Sequence, residues 1–579
     1  MGLAWTIVGL IAGLSVLAYV ELAKRYRLDW KAWTGLLLGE FLILFCIAWC
    51  VASVAEGVPR SASMGMIMFG GAGLVTLILT WRFLINGRDF GDETLPTAET
   101  SNREENSVSS EDSDPEAPNR REFFGQSLLQ TLGVKKVAVA GTAAVGAVGA
   151  ATVAVIKSSG RPLDDVPNKI SDEYEPFDQR KMVFTFIRSK KLQQRYQKRV
   201  AAWEERAKQR GKDFFKVATA MQTQYSKEPD NNTPGYRQIE YALMNAAWHT
   251  NNTQAGATAF GQPGQGVFTF EQSDVAKEQW KFESEQEAAT KIKSAAKLFG
   301  AVRCGITRND ERWNYNPIYD PIEDKELSWE EDFPFKPNTV IVLLIQQDYF
   351  AMSCAPAPPA SAASGQGYSE MTVVAGQLAK FIRLLGYQAV GSGNDLGLSV
   401  PYAVAAGLGE NSRAGWLIAP GLGPNIRICK VYTDLDFIEY DRPRDYSITN
   451  FCVHCKRCAD ACPSQAITHD SLPTLEPQYE GADDPDYGFT TNKGVEKWHS
   501  DHKKCYEYWV ESGSSCAACV AACPYNKPDF WHHDLVDTMN VVTPGPLHYF
   551  MKEMDKVFGY GSTNDPEKTE AFWKTGEEI

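Results

Sequence analysis

The stretch CVHCKRCADACP, Cys452 to Pro463, spaces four thiols by two, two and three residues and closes on a proline. A second run follows: Cys505, then Cys516, Cys519 and Cys523 before Pro524. Eight of the thirteen cysteines in this 579-residue chain crowd into these two runs, so they read as metal ligands before they read as thiols. Disulfides and zinc are the alternatives. Neither accounts for a Cys-Pro-terminated run of this spacing followed by a partial repeat of itself.

The first run resembles that of the bacterial ferredoxins, in which the fourth cysteine of each run ligates the other cluster. On that pattern Cys452, Cys455 and Cys458 with Cys523 hold one [4Fe–4S] cluster. Cys516 and Cys519 with Cys462 hold the other, which leaves one vacancy. The second run has Gly513 where a cysteine should stand three places before Cys516, and Cys505 is the substitute. Two clusters in series carry electrons; they do no chemistry by themselves.

Working outward, the length suggests about four domains. A net charge of −14 with a pI near 5.3 argues against a nucleic-acid partner, because there is no basic footprint to neutralise phosphates. The chain joins unlike parts. Within residues 1–88, three apolar runs (Leu3–Val20, Trp33–Val54 and Met64–Ile85) are long enough to cross a bilayer as a three-helix anchor. Buried core helices are the alternative, but three such runs leave almost no polar face to solvate. Lys24, Arg25, Arg27 and Lys31 fill the first loop and only Arg60 the second, which places the first loop in the cytoplasm and the end of the third span inside. Glu40, within the second span, is either a functional group or a helix-packing one.

Residues 89–119 are acidic and rich in Ser, Pro and Glu, the composition of a disordered cytoplasmic linker. Residues 120–157 open on Arg120 and Arg121 and continue through Phe123, Phe124, Lys135 and Lys136 into an Ala/Gly/Val run. That order reads as a twin-arginine-type export signal or a fourth span. Either reading puts everything after Ile156 on the outer face of the cytoplasmic membrane. The twin-arginine route moves folded protein, as a domain loaded with metal cofactors in the cytoplasm requires.

Residues 158–445 alternate helical and strand patterns, giving an α/β or α+β domain large enough for a buried cofactor pocket. Ser284–Leu298 reads as an amphipathic helix ended by Gly300, AVRCGI as a short strand, and Thr339–Ile345 as a buried strand. Ser369–Leu385 reads as a helix stopped by Gly386, and GWLIAP and IRICKVYTDL as strands. Residues 446–530 form the two-cluster ferredoxin-like domain. Residues 531–579 form a C-terminal segment, polar and peripheral from Gly559 onward.

The segment GSGNDLGLSVPYAVAAGLGENSRAGWLIAPGLGPNIRICKVYTDL, Gly391 to Leu435, shortly before the cluster run, resembles the corrinoid-dependent reductive dehalogenases. The three-span beginning, with AEGVPRSASMG in its outward loop, is similar to their small membrane-anchor subunit. The chain thus resembles an anchor fused ahead of its catalytic subunit. The resemblance implies a nitroreductase-like domain that binds a base-off cobamide without a histidine below the cobalt; no D-x-H-x-x-G motif occurs among the eight histidines. His454 then reads as structural. The resemblance also implies a catalytic tyrosine, asparagine and arginine, at Tyr368, Asn394 and Arg427. Asn394, Ser399 and Arg427 would contact the cofactor. Tyr368 rests on spacing and on lying just ahead of a helix.

The chemistry suits those groups. Replacing a carbon–halogen bond by carbon–hydrogen takes two electrons and one proton and releases halide. A tyrosine can give the proton if a neighbour stabilises its phenolate, and a guanidinium does so without competing for the proton. Asn394 can orient the phenol or the departing halide. Tyr349, Phe350, Trp416 and Trp509 could line an apolar substrate pocket or pack in the core. Cys304, Cys354 and Cys429 match no ligand spacing and read as buried hydrophobes. The implied partners are a small organohalide, a membrane electron donor (a quinol or a donor complex) and the bilayer, with a homodimer left open. Two other readings stand beside this one. An epoxyqueuosine reductase pairs a cobamide with two similar clusters but uses an aspartate as proton donor. A membrane-anchored ferredoxin-type carrier would leave almost three hundred residues without a role.

Overall fold

A computed structural model describes residues 2–26, 28–56, 58–85, 160–209, 229–254, 270–321, 323–479, 481–482, 490–542 and 545–578. The acidic linker and the twin-arginine segment lie outside the described residues. Two compact units divide the chain, Met1–Val155 and Ile156–Ile579.

The first unit holds helices α1 (Gly2–Arg25), α2 (Trp30–Ala55) and α3 (Arg60–Ile85). By length and apolarity α2 and α3 can each cross a membrane. Asp29 caps α2 by accepting from the Ala32 amide. Small residues let α2 and α3 approach closely: a Cβ on Gly39 would sit 2.6 Å from Leu77, and one on Gly73 would sit 2.8 Å from Ile43. At the end of this contact Ser53 and Ser61 pair at 2.9 Å, and the Trp49 indole donates to Ser61 at 3.2 Å. Glu40 lies half-buried on α2.

The second unit is built on a four-stranded sheet. Its strands are β1 (Arg303–Arg308), β2 (Thr339–Gln346), β3 (Ala389–Ser392) and β6 (Ile426–Thr433), in the spatial order β1-β2-β6-β3. All three pairings are antiparallel, so of the two fold classes the sequence left open, α+β is the one formed. Both faces are covered, which is why Thr339–Ile345 reads as one unbroken apolar run. One face packs on helices α5 (Glu285–Phe299) and α6 (Pro358–Leu384), and α4 (Gln238–Ala247) packs on α6 through Tyr241 and Met244. The other packs on Trp313, Tyr315 and Tyr402. Ser284 caps α5, and Gly300, at φ +116°, ends it.

Two expectations change. The helix placed at Ser369–Leu385 begins eleven residues earlier, at Pro358. Its first turns, PPASAASGQG, lack bulk and contain two glycines, so they carry no periodic apolar signal. Tertiary packing makes them helical: every residue from Pro358 to Gly365 is buried. Tyr368 therefore sits inside a helix, not ahead of one. The tail from Gly559 is docked, not peripheral. Thr569 is buried, Trp573 donates to the buried Glu240 at 2.9 Å, and Glu570 pairs with Arg237 at 2.9 Å.

A candidate iron–sulfur and proton-donor site

A short hairpin organises the site. Strands β4 (Glu410–Asn411) and β5 (Leu417–Ile418) pair antiparallel, and Gly415, at φ +79°, supplies the turn. Buried Glu410 accepts from the amides of Tyr446 and Thr449 and from the Thr449 hydroxyl. It thereby ties the hairpin to the start of helix α8 (Ile448–Cys455), which carries Cys452 and Cys455.

The cysteine runs form a structural repeat. After Cys455, Lys456 is left-handed (φ +58°) and α9 (Arg457–Asp460) follows; after Cys516, Ala517 is left-handed (φ +62°) and α11 (Ala518–Ala521) follows. Where the repeat calls for another cysteine, Gly513 is left-handed at φ +75° and ends α10 (His502–Ser512). Cys505 is presented from the first turn of that same helix.

The thiols gather in two adjoining groups, with Cys519 and Cys458 where the groups meet. Cys452, Cys455, Cys458 and Cys523 line one cavity, with Cys519 at its wall. Cys462 packs with Cys505 and Cys519, and the charges of Cys519, Cys516 and Cys462 act on Cys505. Burial pushes the thiols up: Cys452 to about 12, Cys455 to about 11 and Cys516 to about 12, with Cys458, Cys505 and Cys523 well above the ordinary range; repulsion from neighbouring cysteines adds to it at all of these but Cys455, which Arg457 pulls back. Thiols crowded this way become thiolates together only around a strongly cationic core. That donor set fits iron–sulfur clusters.

The three residues proposed over the cofactor come from three separate elements, and the fold brings them together. Tyr368 lies on α6, Asn394 in the loop after β3 and Arg427 on β6, opposite Ile345. The Asn394 amide donates to the Tyr368 hydroxyl at 2.7 Å. The Arg427 guanidinium stands 4.8 Å from the Tyr368 ring and donates to Ser364 Oγ at 2.9 Å. Ser399, at the start of helix α7 (Ser399–Ala405), donates to Asn394 Oδ1 at 3.4 Å.

Trp416 of the hairpin links this set to the cysteines. Arg427 lies 5.6 Å from the Trp416 ring, and the indole N–H donates to Cys519 Sγ at 3.2 Å. Of the other aromatics, Trp509 packs on Phe184 and Tyr506, while Tyr349 and Phe350 pack on each other. Cys354 and Cys429 are buried as expected, and Cys304 is half-buried.

Sequence reasoning missed two neighbours. Trp248 stacks on Tyr368 with ring centroids 4.9 Å apart; nothing local marks it. Lys430, fully buried on β6, donates to the Gly393 carbonyl and to Ser399 Oγ, both at 2.7 Å, and so anchors the loop that carries Asn394. A lone lysine inside the apolar strand IRICKVYT was the signal available.

Beside this set, Gln347 Nε2, Asn425 Oδ1 and Arg427 Nε are buried without hydrogen-bond partners among the described residues. Gln347 and Asn425 are held together by an amide–carbonyl bond of 3.0 Å in each direction. A corrin ring, edged with carboxamides, offers donors and acceptors to match such atoms. The residues present fit that group.

Adjoining cysteine groups joined by an indole to a tyrosine, an asparagine and an arginine define an iron–sulfur oxidoreductase. Residues 3–88 match the family of chloroethene reductive dehalogenase membrane anchor proteins, and residues 451–527 match the 4Fe-4S dicluster domain. The tetrachloroethene reductive dehalogenase of Desulfitobacterium hafniense strain Y51 is 36% identical over 421 residues, 60% of this chain and 74% of that protein. The trichloroethene reductive dehalogenase of Dehalococcoides mccartyi is 33% identical over 216 residues, 37% of this chain and 35% of that protein. A solved reductive dehalogenase described as B12-dependent shares the fold, with a TM-score of 0.52 and 21% identity over 71% of this chain; this chain spans half of that longer one. The chain belongs to the reductive dehalogenase family, joined here to a membrane-anchor segment.

Proposed function

We propose that this protein is a membrane-attached reductive dehalogenase that replaces a carbon–chlorine bond of a chlorinated ethene by carbon–hydrogen. The overall change consumes two electrons and one proton and releases chloride. The observation that carries the reading is the Asn394–Tyr368–Arg427 set, connected through Trp416 to Cys519. Two relatives named for chlorinated ethenes support the substrate class.

Cys452, Cys455, Cys458 and Cys523 would hold one [4Fe–4S] cluster, and Cys462, Cys505, Cys516 and Cys519 the other. A base-off cobamide would lie in the nitroreductase-like domain against Tyr368, Asn394, Ser399 and Arg427. When bound, it supplies a cobalt centre able to deliver two electrons to a carbon–halogen bond. Tyr368 gives up its phenolic proton to the carbon that loses halide. Asn394 Nδ2 and the guanidinium of Arg427 then stabilise the charge left on the phenol oxygen. Trp248, stacked on the ring, fixes its plane.

Three spans would hold this unit to the cytoplasmic membrane with catalysis on the outer face, as the loop charges favour. Electrons would come from a quinol or a donor complex, making the halocarbon a respiratory acceptor. Detergent-extracted protein, assayed without oxygen with reduced viologen and tetrachloroethene, should release chloride and a less chlorinated ethene. Dechlorination by a preparation replete in iron but verified free of corrinoid would overturn the proposal.

A further inference from the structure

The cavity lined by Cys452, Cys455, Cys458 and Cys523 has a cation built against it that the proposed reaction does not use. Arg413 occupies the β4–β5 turn, is 1% exposed and lines that cavity. Its Nε and Nη2 donate to the Cys452 carbonyl at 3.3 and 2.9 Å, and Nη2 reaches the Val453 carbonyl at 3.5 Å. Nη1 donates to the carbonyls of Thr468 and Asp470, at 3.0 and 2.5 Å. Its guanidinium stands 4.7 Å from the Trp498 ring. Every one of these bonds ends on a main-chain oxygen. The Asp470 carboxylate is exposed and accepts from the Thr468 hydroxyl instead.

The neighbouring bases differ. Arg457 and Lys527 share the carboxylate of Asp555, and Lys456, at the cavity wall, reaches Ser471. Among the described residues no carboxylate hydrogen-bonds Arg413, and the exposed Asp470 carboxylate acts on it less than Cys458, Cys452 and Cys455 do; a buried guanidinium is strongly disfavoured unless some anion offsets it. Four thiolates around a [4Fe–4S] core are such an anion, and they gain one further negative charge on one-electron reduction.

We propose that Arg413 sets the reduction potential of the cluster held by Cys452, Cys455, Cys458 and Cys523, its buried charge favouring the reduced state. The inference rests on the reading that this quartet holds a cluster. Arg413 is a positioning and tuning residue, not a catalytic one. No bond forms or breaks, and the single electron comes from an external low-potential donor.

The test compares Arg413→Gln and Arg413→Lys in the full-length protein by iron content and by dithionite titration followed by electron paramagnetic resonance. The signal concerned is the one that Cys523→Ser removes. Arg413→Gln should keep its iron and shift that midpoint to lower potential, leaving the other signal in place, while Arg413→Lys stays at the wild-type value. An unshifted midpoint in iron-replete Arg413→Gln overturns the inference, and so does an equal downward shift in Arg413→Lys, where the charge is kept. Should Arg413→Gln alone lose iron, the midpoint of Arg413→Lys decides on the same terms. Loss of iron from both variants makes Arg413 a clamp on the Cys452 loop and overturns the tuning role. A wild-type protein with no reducible cluster defeats the underlying reading instead, a separate failure.

Discussion

The side-chain amide of Asn394 donates to the Tyr368 hydroxyl across 2.7 Å, so the phenol oxygen is an acceptor within its own site. Its proton is thereby left to point elsewhere, and the charge that appears when the proton leaves already has a donor aimed at it. Arg427, 4.8 Å from the ring centre, adds a full positive charge. A general acid held this way contributes about a hundred- to ten-thousand-fold to rate. Tyr368→Phe should therefore keep wild-type iron and corrinoid content and lose turnover within that range. Dechlorination within a few-fold of wild type would remove Tyr368 as the proton donor.

Lys430 ties this geometry to pH. Burial pulls its ammonium down to about 8, against the lesser opposing pull of Asp395. Below that pH the lysine is charged and grips Gly393 and Ser399; above it the charge, and with it part of the grip on the Asn394 loop, is lost. The stability sign runs the other way. Between about 8 and the ordinary lysine value, about 10.4, the unfolded chain binds the extra proton, so the burial penalty shrinks as pH rises. Turnover should fall along an alkaline limb near pH 8, and Lys430→Arg should move that limb upward. The same limb in Lys430→Arg would assign it to another group.

What the sequence discloses about this site depends on how locally each part is encoded. The cysteine groups are legible because their spacing is the repeat itself, and the vacancy at Gly513 points straight to Cys505. Tyr368, Asn394 and Arg427 are drawn together only by sheet register and by a helix whose glycine- and alanine-rich start hides its extent. Their grouping came from resemblance, not from any local pattern. Trp248 was invisible because its partner lies 120 residues on, across the packing of α6. Arg413 lies in a turn, where a surface arginine is the ordinary expectation; only the folded hairpin shows it buried.

The interleaving of the two runs can be separated by mutation. If Cys523 serves the cluster of the first run, Cys523→Ser should remove the cluster bounded by Cys452, Cys455 and Cys458. Cys505→Ser should remove the other. Each change is expected to cost about four irons per chain and a different paramagnetic signal. Loss of the same signal in both variants would show that the two thiols serve one centre.

Trp416 touches both a cysteine and the proposed active site. Its indole N–H, 3.2 Å from Cys519 Sγ, withdraws charge from a sulfur that would carry part of the electron on reduction. Hydrogen bonds to cluster sulfurs raise the potential. Trp416→Phe keeps an aromatic face toward Arg427, 5.6 Å away in the native chain, but cannot donate. Its second-cluster midpoint should fall while iron content and the first-cluster midpoint stay as in the wild type, as read by the same redox titration. If the midpoint holds and turnover collapses, Trp416 serves by positioning Arg427, and the indole–sulfur bond is incidental to electron flow.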